Sequence, residues 1–235
     1  MVRLQLLVSV IVLVAVCNIE VRAYRRAFAY PWIKTLDEFR RNAACNIDLG
    51  LVMDNTKGNF SLVKDFAKHL VGKFQISDEG TRVGAITFGH GAHIRLLFSD
   101  LKGKENNLQK VKEQINRWRE GSPVYDNKTS ISEALRVAKD FLFRTSSGMR
   151  FGQVEQVLVL FTNAKQDMGQ AASTLRRIQE LQNKGIKIII VGIQKPDPIE
   201  LLKLAGGIEN MHWLKSEGRI TSIATKIYQS VCSKA

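Results

Sequence analysis

CNIDLGLVMDNTKGNF, residues 45–60, decides how the rest of the chain is read. Ile47 to Met53 is a short apolar run of the kind that forms a central parallel strand buried on both faces. The run closes on Asp54, and a small polar loop then opens a helix near Asn59. In an open α/β sheet the loops leaving the strands' C-terminal ends converge beside helix N-termini, and ligands bind there. Asp54 is therefore the first candidate for function.

Outward from that stretch the apolar pattern alternates between two periods. Phe60, Val63, Phe66, Ala67, Leu70 and Phe74 recur at helical spacing. Val83, Ala85, Ile86 and Phe88 form a strand pattern, and Ile94, Leu96, Leu97 and Phe98 another. The tight Gly89-His90-Gly91 connection predicts that these two pair as an antiparallel hairpin. Further strands are expected over Val157–Phe161, Lys187–Ile193 and Met211–Leu214. Helices are expected from Leu108 to Trp118, from Ile131 to Leu142, and from Met168 to Gln182 with Ala172, Leu175, Ile178 and Leu181 inward. A short helix covers Leu201, Leu202 and Leu204, and Ile220, Ile223, Ala224, Ile227 and Val231 build a closing one. Strands alternating with amphipathic helices imply an α/β fold with a largely parallel sheet covered on both faces.

Composition sets the compartment. The hydrophobic fraction of 45% suits a globular domain, and a net charge of +13 favours polyanionic partners or a solvated basic surface. Residues 1–23 combine a basic start at Arg3, an apolar core from Leu4 to Val16, and a small-x-small ending at Val21-Arg22-Ala23. This is the pattern of a secretory signal peptide, too short in its apolar core to span a bilayer comfortably. Residues 24–43 read as a basic N-terminal arm or propeptide, and residues 44–235 as one domain. Of the three cysteines, Cys17 would leave with the signal. In an oxidising compartment Cys45 and Cys232 read as one disulfide joining the domain's ends, the alternative being two buried thiols.

In order along the chain, Cys45-Asn46-Ile47-Asp48 leading to Asp54, Gly84 to Phe88, Thr129 to Leu135, Leu158 to Asn163 and Gly185 to Ile193 resemble the von Willebrand factor type A domain family. The resemblance covers roughly Ala44 to Val231. It implies a doubly wound, Rossmann-like, mostly parallel sheet with one antiparallel edge strand and helices on both faces. It also implies a metal-ion-dependent adhesion site at the strands' C-terminal edge. That site's first loop reads Asp-x-Ser-x-Ser, with a Thr from the second loop and an Asp after Thr from the third. Here Asp54 matches the first aspartate, Thr56 replaces the first serine, and Gly58 replaces the second and loses its hydroxyl. Thr129 matches the threonine, and Asn163 stands where the second aspartate would be. Mg2+ takes six oxygen ligands in a tight octahedron, so this set predicts a degenerate site without strong metal dependence.

Other chemistry is sparse. The chain has no P-loop, no dinucleotide-binding glycine pattern and no nucleophile elbow, so an enzymatic reading has no motif to rest on. Asn59-Phe60-Ser61 and Asn127-Lys128-Thr129 are N-glycosylation sequons beside the candidate edge. Lys110, Lys112, Arg117 and Arg119 on one predicted helix, with Arg136 and Lys139 on the next, are candidates for a polyanion-binding side patch. The expectation is a secreted, non-catalytic adhesion or matrix module binding an extracellular protein, a collagen or another matrix component. The alternative is a basic secreted factor that binds sulfated glycans or acidic matrix. A secretory route disfavours nucleic acid, and signal cleavage would leave no membrane span.

Overall fold

The computed structural model describes residues 45–232 except residues 57, 59, 90, 122–129 and 164–169. The signal and arm expectations, both sequon asparagines (Asn59 and Asn127) and Thr129 lie outside the described residues.

Six strands form one sheet in the order β3-β2-β1-β4-β5-β6. They are β1 (Ile47–Asp54), β2 (Arg82–Phe88), β3 (Ala92–Leu96), β4 (Glu155–Thr162), β5 (Ile186–Ile193) and β6 (Met211–Leu214). Every neighbouring pair is parallel except β2 and β3, which make the antiparallel edge. The order reverses between β1 and β4, and open α/β sheets bind ligands in the crevice beyond the C-terminal strand ends at such a switch point.

All eight residues of β1 are buried, which is why its sequence is nearly continuous in apolar side chains. Ile47, Leu49, Leu51 and Met53 join the core beneath α1 (Phe60–Val71), α2 (Leu108–Arg117) and α6 (Ile220–Cys232). Val52 faces the other core, beneath α3 (Ile131–Val137), α4 (Ala171–Asn183) and α5 (Pro198–Ala205). On that second face Gly50 leaves room for an aromatic ring. A Cβ there would lie 2.7 Å from Phe143 Cζ, so the glycine is a requirement of close approach. Phe143 in turn meets Phe98 edge-on, with ring centroids 5.5 Å apart.

Several local expectations change. The helix expected over residues 131–142 is α-helical only to Val137 and continues as a π-helical segment, Ala138–Leu142. The expected helix start at Met168 lies outside the described residues; α4 turns Thr174, Ile178 and Leu181 inward, while Ala172 is exposed and Leu175 is 40% exposed. The apolar count alone favoured Leu175, but the buried stripe runs through a threonine. Leu202 on α5 is also exposed. α1 ends at Val71, before Phe74, and β3 ends at Leu96, before Leu97 and Phe98. Phe74 and Phe98 are nonetheless buried.

Cys45, just before β1, and Cys232, the last residue of α6, are joined by a disulfide spanning 187 residues.

Candidate functional site

β1 delivers Asp54 to the switch-point crevice, and β4 delivers Thr162 and Asn163 beside it. The Asp54 side chain is almost wholly buried. Thr56, two residues on, donates both its backbone N–H (3.0 Å) and its hydroxyl (2.7 Å) to Asp54 Oδ1. Burial pushes the Asp54 carboxyl above its ordinary range. The Thr56 backbone and hydroxyl, and then the Asn163 backbone N–H, act in the opposite direction and do not overcome it. Even so, Oδ2 is buried without a partner at hydrogen-bonding geometry among the described residues.

The neighbouring loops are drawn in by Asn55, which no spacing pattern singles out in the sequence. Its backbone N–H donates to Phe88 O at 2.9 Å, and its carbonyl accepts from Gly121 N at 2.9 Å. Gly89 O accepts from Ser130 N at 3.1 Å, and the Ser130 hydroxyl caps α3 by accepting from Glu133 N. Glu120 reaches the first loop, where its Oε1 accepts from Gly58 N at 3.3 Å. The loops after β1, β2 and α2 thus converge on one edge.

The donor set can be tested against a divalent ion. Asp54 has one carboxylate oxygen taken by Thr56 and the other without a side-chain partner among the described residues, and Gly58 has no side-chain oxygen. Asn163 is itself engaged and brings no charge. Among the described residues no group of three or more His, Cys, Asp or Glu could hold a metal ion. One carboxylate in place of two leaves the described residues well short of an octahedral Mg2+ centre. His93 sits exposed on β3, the edge strand.

The basic candidates do not form one patch. α2 packs on one face of the sheet and α3 on the other, so Lys110, Lys112, Arg117 and Arg119 are separated from Arg136 and Lys139. The single side patch expected from these six residues is divided because the chain crosses the sheet between the two helices. Several cations are also paired. Lys110 meets Glu105 and Glu113, and Arg136 meets Glu133 at 2.7 Å and Asp140 at 3.5 Å. Lys139 meets Glu180 at 2.7 Å, and Lys139 and Arg177 together hold the Glu180 carboxyl down at about 2. Lys112, Arg117 and Arg119 on or just after α2 have no acidic partner among the described residues.

Comparison with known proteins gives the same frame. A model described as "von Willebrand factor type A domain" matches residues 48–225. The collagen alpha-6(VI) chain of Homo sapiens is 26% identical over 195 residues, covering 80% of this chain and 8% of the relative. The von Willebrand factor A domain-containing protein 2 of Mus musculus is 30% identical over 175 residues, covering 73% of this chain and 20% of the relative. The chain therefore spans a small fraction of these curated relatives. Among solved structures, proximal thread matrix protein 1 from the mussel byssus, with a zinc-occupied MIDAS motif, superposes with a TM-score of 0.68 at 19% identity. That match covers 81% of this chain and 47% of the mussel chain.

Proposed function

Since this chain belongs to the von Willebrand factor type A domain family, we propose that it is a non-catalytic extracellular module that binds a matrix protein, a collagen or another matrix component, without strong metal dependence. The observation that carries the last part is the Asp54 carboxylate. It is buried, has one oxygen taken by Thr56, and has Asn163 instead of a second acid just beyond the end of the adjacent strand. The matrix setting is supported by likeness to a collagen VI chain and to a byssus matrix protein. Secretion follows from the leader pattern of residues 1–23, and no helix among the described residues is long and apolar enough to cross a membrane.

The test is surface plasmon resonance of the secreted chain over immobilised fibrillar and network collagens, with Mg2+ and with EDTA. Saturable binding that persists in EDTA is the expected result. Binding abolished by EDTA would mean that the degenerate site still loads a metal, and no binding to any collagen would remove that ligand class.

A second reading is favoured by Lys112, Arg117 and Arg119, which have no acidic partner among the described residues and suit a sulfated glycan better than the six-residue patch the sequence suggested.

A further inference from the structure

At the end of the sheet opposite Asp54, an open groove of about 440 Å³ runs between the start of β5 and the turns that precede β4. Its apolar part is made by Phe143, Met149, Phe151 and Ile186, and its charged part by Arg144 and Lys184. Among the described residues no acidic side chain lines it. Lys184 Nζ donates to Lys139 O at 3.2 Å, while exposed Arg144 has no acidic partner among the described residues.

The groove is held in shape from beneath. Phe143 is locked against Gly50 and Phe98. A short 3-10 turn, Thr145–Ser147, ends at Gly148, whose φ of +87° places it in the left-handed region and whose absent Cβ would lie 2.8 Å from Ser99 N. Met149 N then donates to Arg144 O at 3.1 Å, closing the wall. The next residue, Arg150, points inward and bonds Asp48 together with the carbonyls of Ile47, Asp78, Glu79 and Gly80. With Arg150 so anchored, Phe151 is carried outward and stays 63% exposed. A large aromatic side chain displayed by a firmly held neighbour is a rigid contact surface, the kind of anchor that dominates protein interfaces.

We propose that this groove receives an acidic peptide segment of a partner protein, one presenting an aromatic or aliphatic side chain next to a carboxylate. The apolar side chain seats between Phe151, Met149 and Ile186. The carboxylate meets the planar fork of Arg144, which accepts bidentate pairing, with Lys184 adding positive charge. The volume falls within the ordinary range for ligand pockets, roughly 300–1,000 Å³. A sulfated glycan would leave the apolar lining without a counterpart, so the mixed lining selects the peptide. This surface lies away from the Asp54 edge and goes beyond the matrix-binding reading.

The test uses fluorescein-labelled pentapeptides with Asp or Glu on both sides of a central Phe, Trp, Leu or Met, titrated by anisotropy into the secreted chain. Arg144→Glu and Phe151→Ala alter exposed side chains, and circular dichroism confirms that each variant is folded. At least one peptide is expected to bind, about tenfold more weakly to either variant, as removal of an interface anchor usually does. The same peptide should shift the 13C-methyl signals of Met149 and Ile186 and lose binding when its acids become Lys. The proposal is overturned if no peptide binds, if both variants bind as well as the parent, or if uncharged versions bind equally. It is likewise overturned if heparin oligosaccharides compete through Arg144, or if Arg144→Glu dissociates a dimer of the free chain, since a glycan or a second copy would then be the occupant.

Discussion

Asp48 and Arg150, 102 residues apart in sequence, close the lower end of the sheet through an ion pair reinforced by a backbone hydrogen bond. Arg150 Nε donates to Asp48 Oδ1 at 2.9 Å, and the Arg150 backbone N–H donates to Oδ2 at 2.6 Å. Asp48 is fully buried and the Arg150 side chain nearly so. Removing one partner of such a pair strands a buried charge, which typically destabilises by about 3–5 kcal/mol. Arg150→Ala should therefore lower the urea midpoint substantially. Arg150→Lys should recover little, because an ammonium cannot span the carbonyls of Ile47 and Gly80 as well as the carboxylate. A small effect of both variants would show that the pair is not structurally important.

The raised pKa of Asp54 gives its stability effect a definite sign. The folded state holds this proton more tightly than the unfolded chain, whose ordinary value is 3.8. The contribution is therefore fully present below pH 3.8 and is lost as pH rises through the higher folded value. Asp54→Asn removes the titration, so the variant should gain stability relative to the parent as pH climbs through that window. Denaturant melts from acid to neutral pH check this. A difference that is flat with pH would contradict the burial argument.

Reducing the Cys45–Cys232 bridge frees a loop of 187 residues. The chain-entropy model assigns such a closure about 5 kcal/mol, and measured values often fall below it. A Cys45→Ser, Cys232→Ser double variant should melt well below the parent, and reductant should lower the melting temperature of the parent alone.

Gly50→Ala should destabilise by about 1–3 kcal/mol, because the new methyl collides with the Phe143 ring at 2.7 Å. Phe143→Leu should make the same glycine change milder. A double-mutant cycle reports the coupling, and strict additivity would mean that the core relaxes elsewhere.

On heparin resin, replacing Lys112, Arg117 and Arg119 with Ala should lower the eluting salt concentration, since none has an acidic partner among the described residues. Arg136→Ala should matter much less, as its guanidinium is held by Glu133 and Asp140.

The sheet was legible because each strand carries its own signal. The apolar run ending at Asp54, the Gly89-His90-Gly91 turn and the periodic closing helix are local patterns. The inward face of α4 was legible at Ile178 and Leu181 but not at its start, because Thr174 is buried in place of Leu175 and its polarity hides it. Nor was the division of the basic residues, because which face a helix occupies depends on strand order. Asn55 escaped for a related reason: its backbone, more than its side-chain type, gathers the loops around the crevice.

The bridge between Cys45 and Cys232 also has a mechanical meaning. Its two Cα atoms are 5.3 Å apart, so the polypeptide enters and leaves the folded body at one covalently fastened point. Tension applied through chain attached beyond either cysteine would pass across the sulfur–sulfur bond and bypass the hydrogen-bonded ladder of the sheet. Under such a load the folded body would hang from the line of force, with its sheet unstrained.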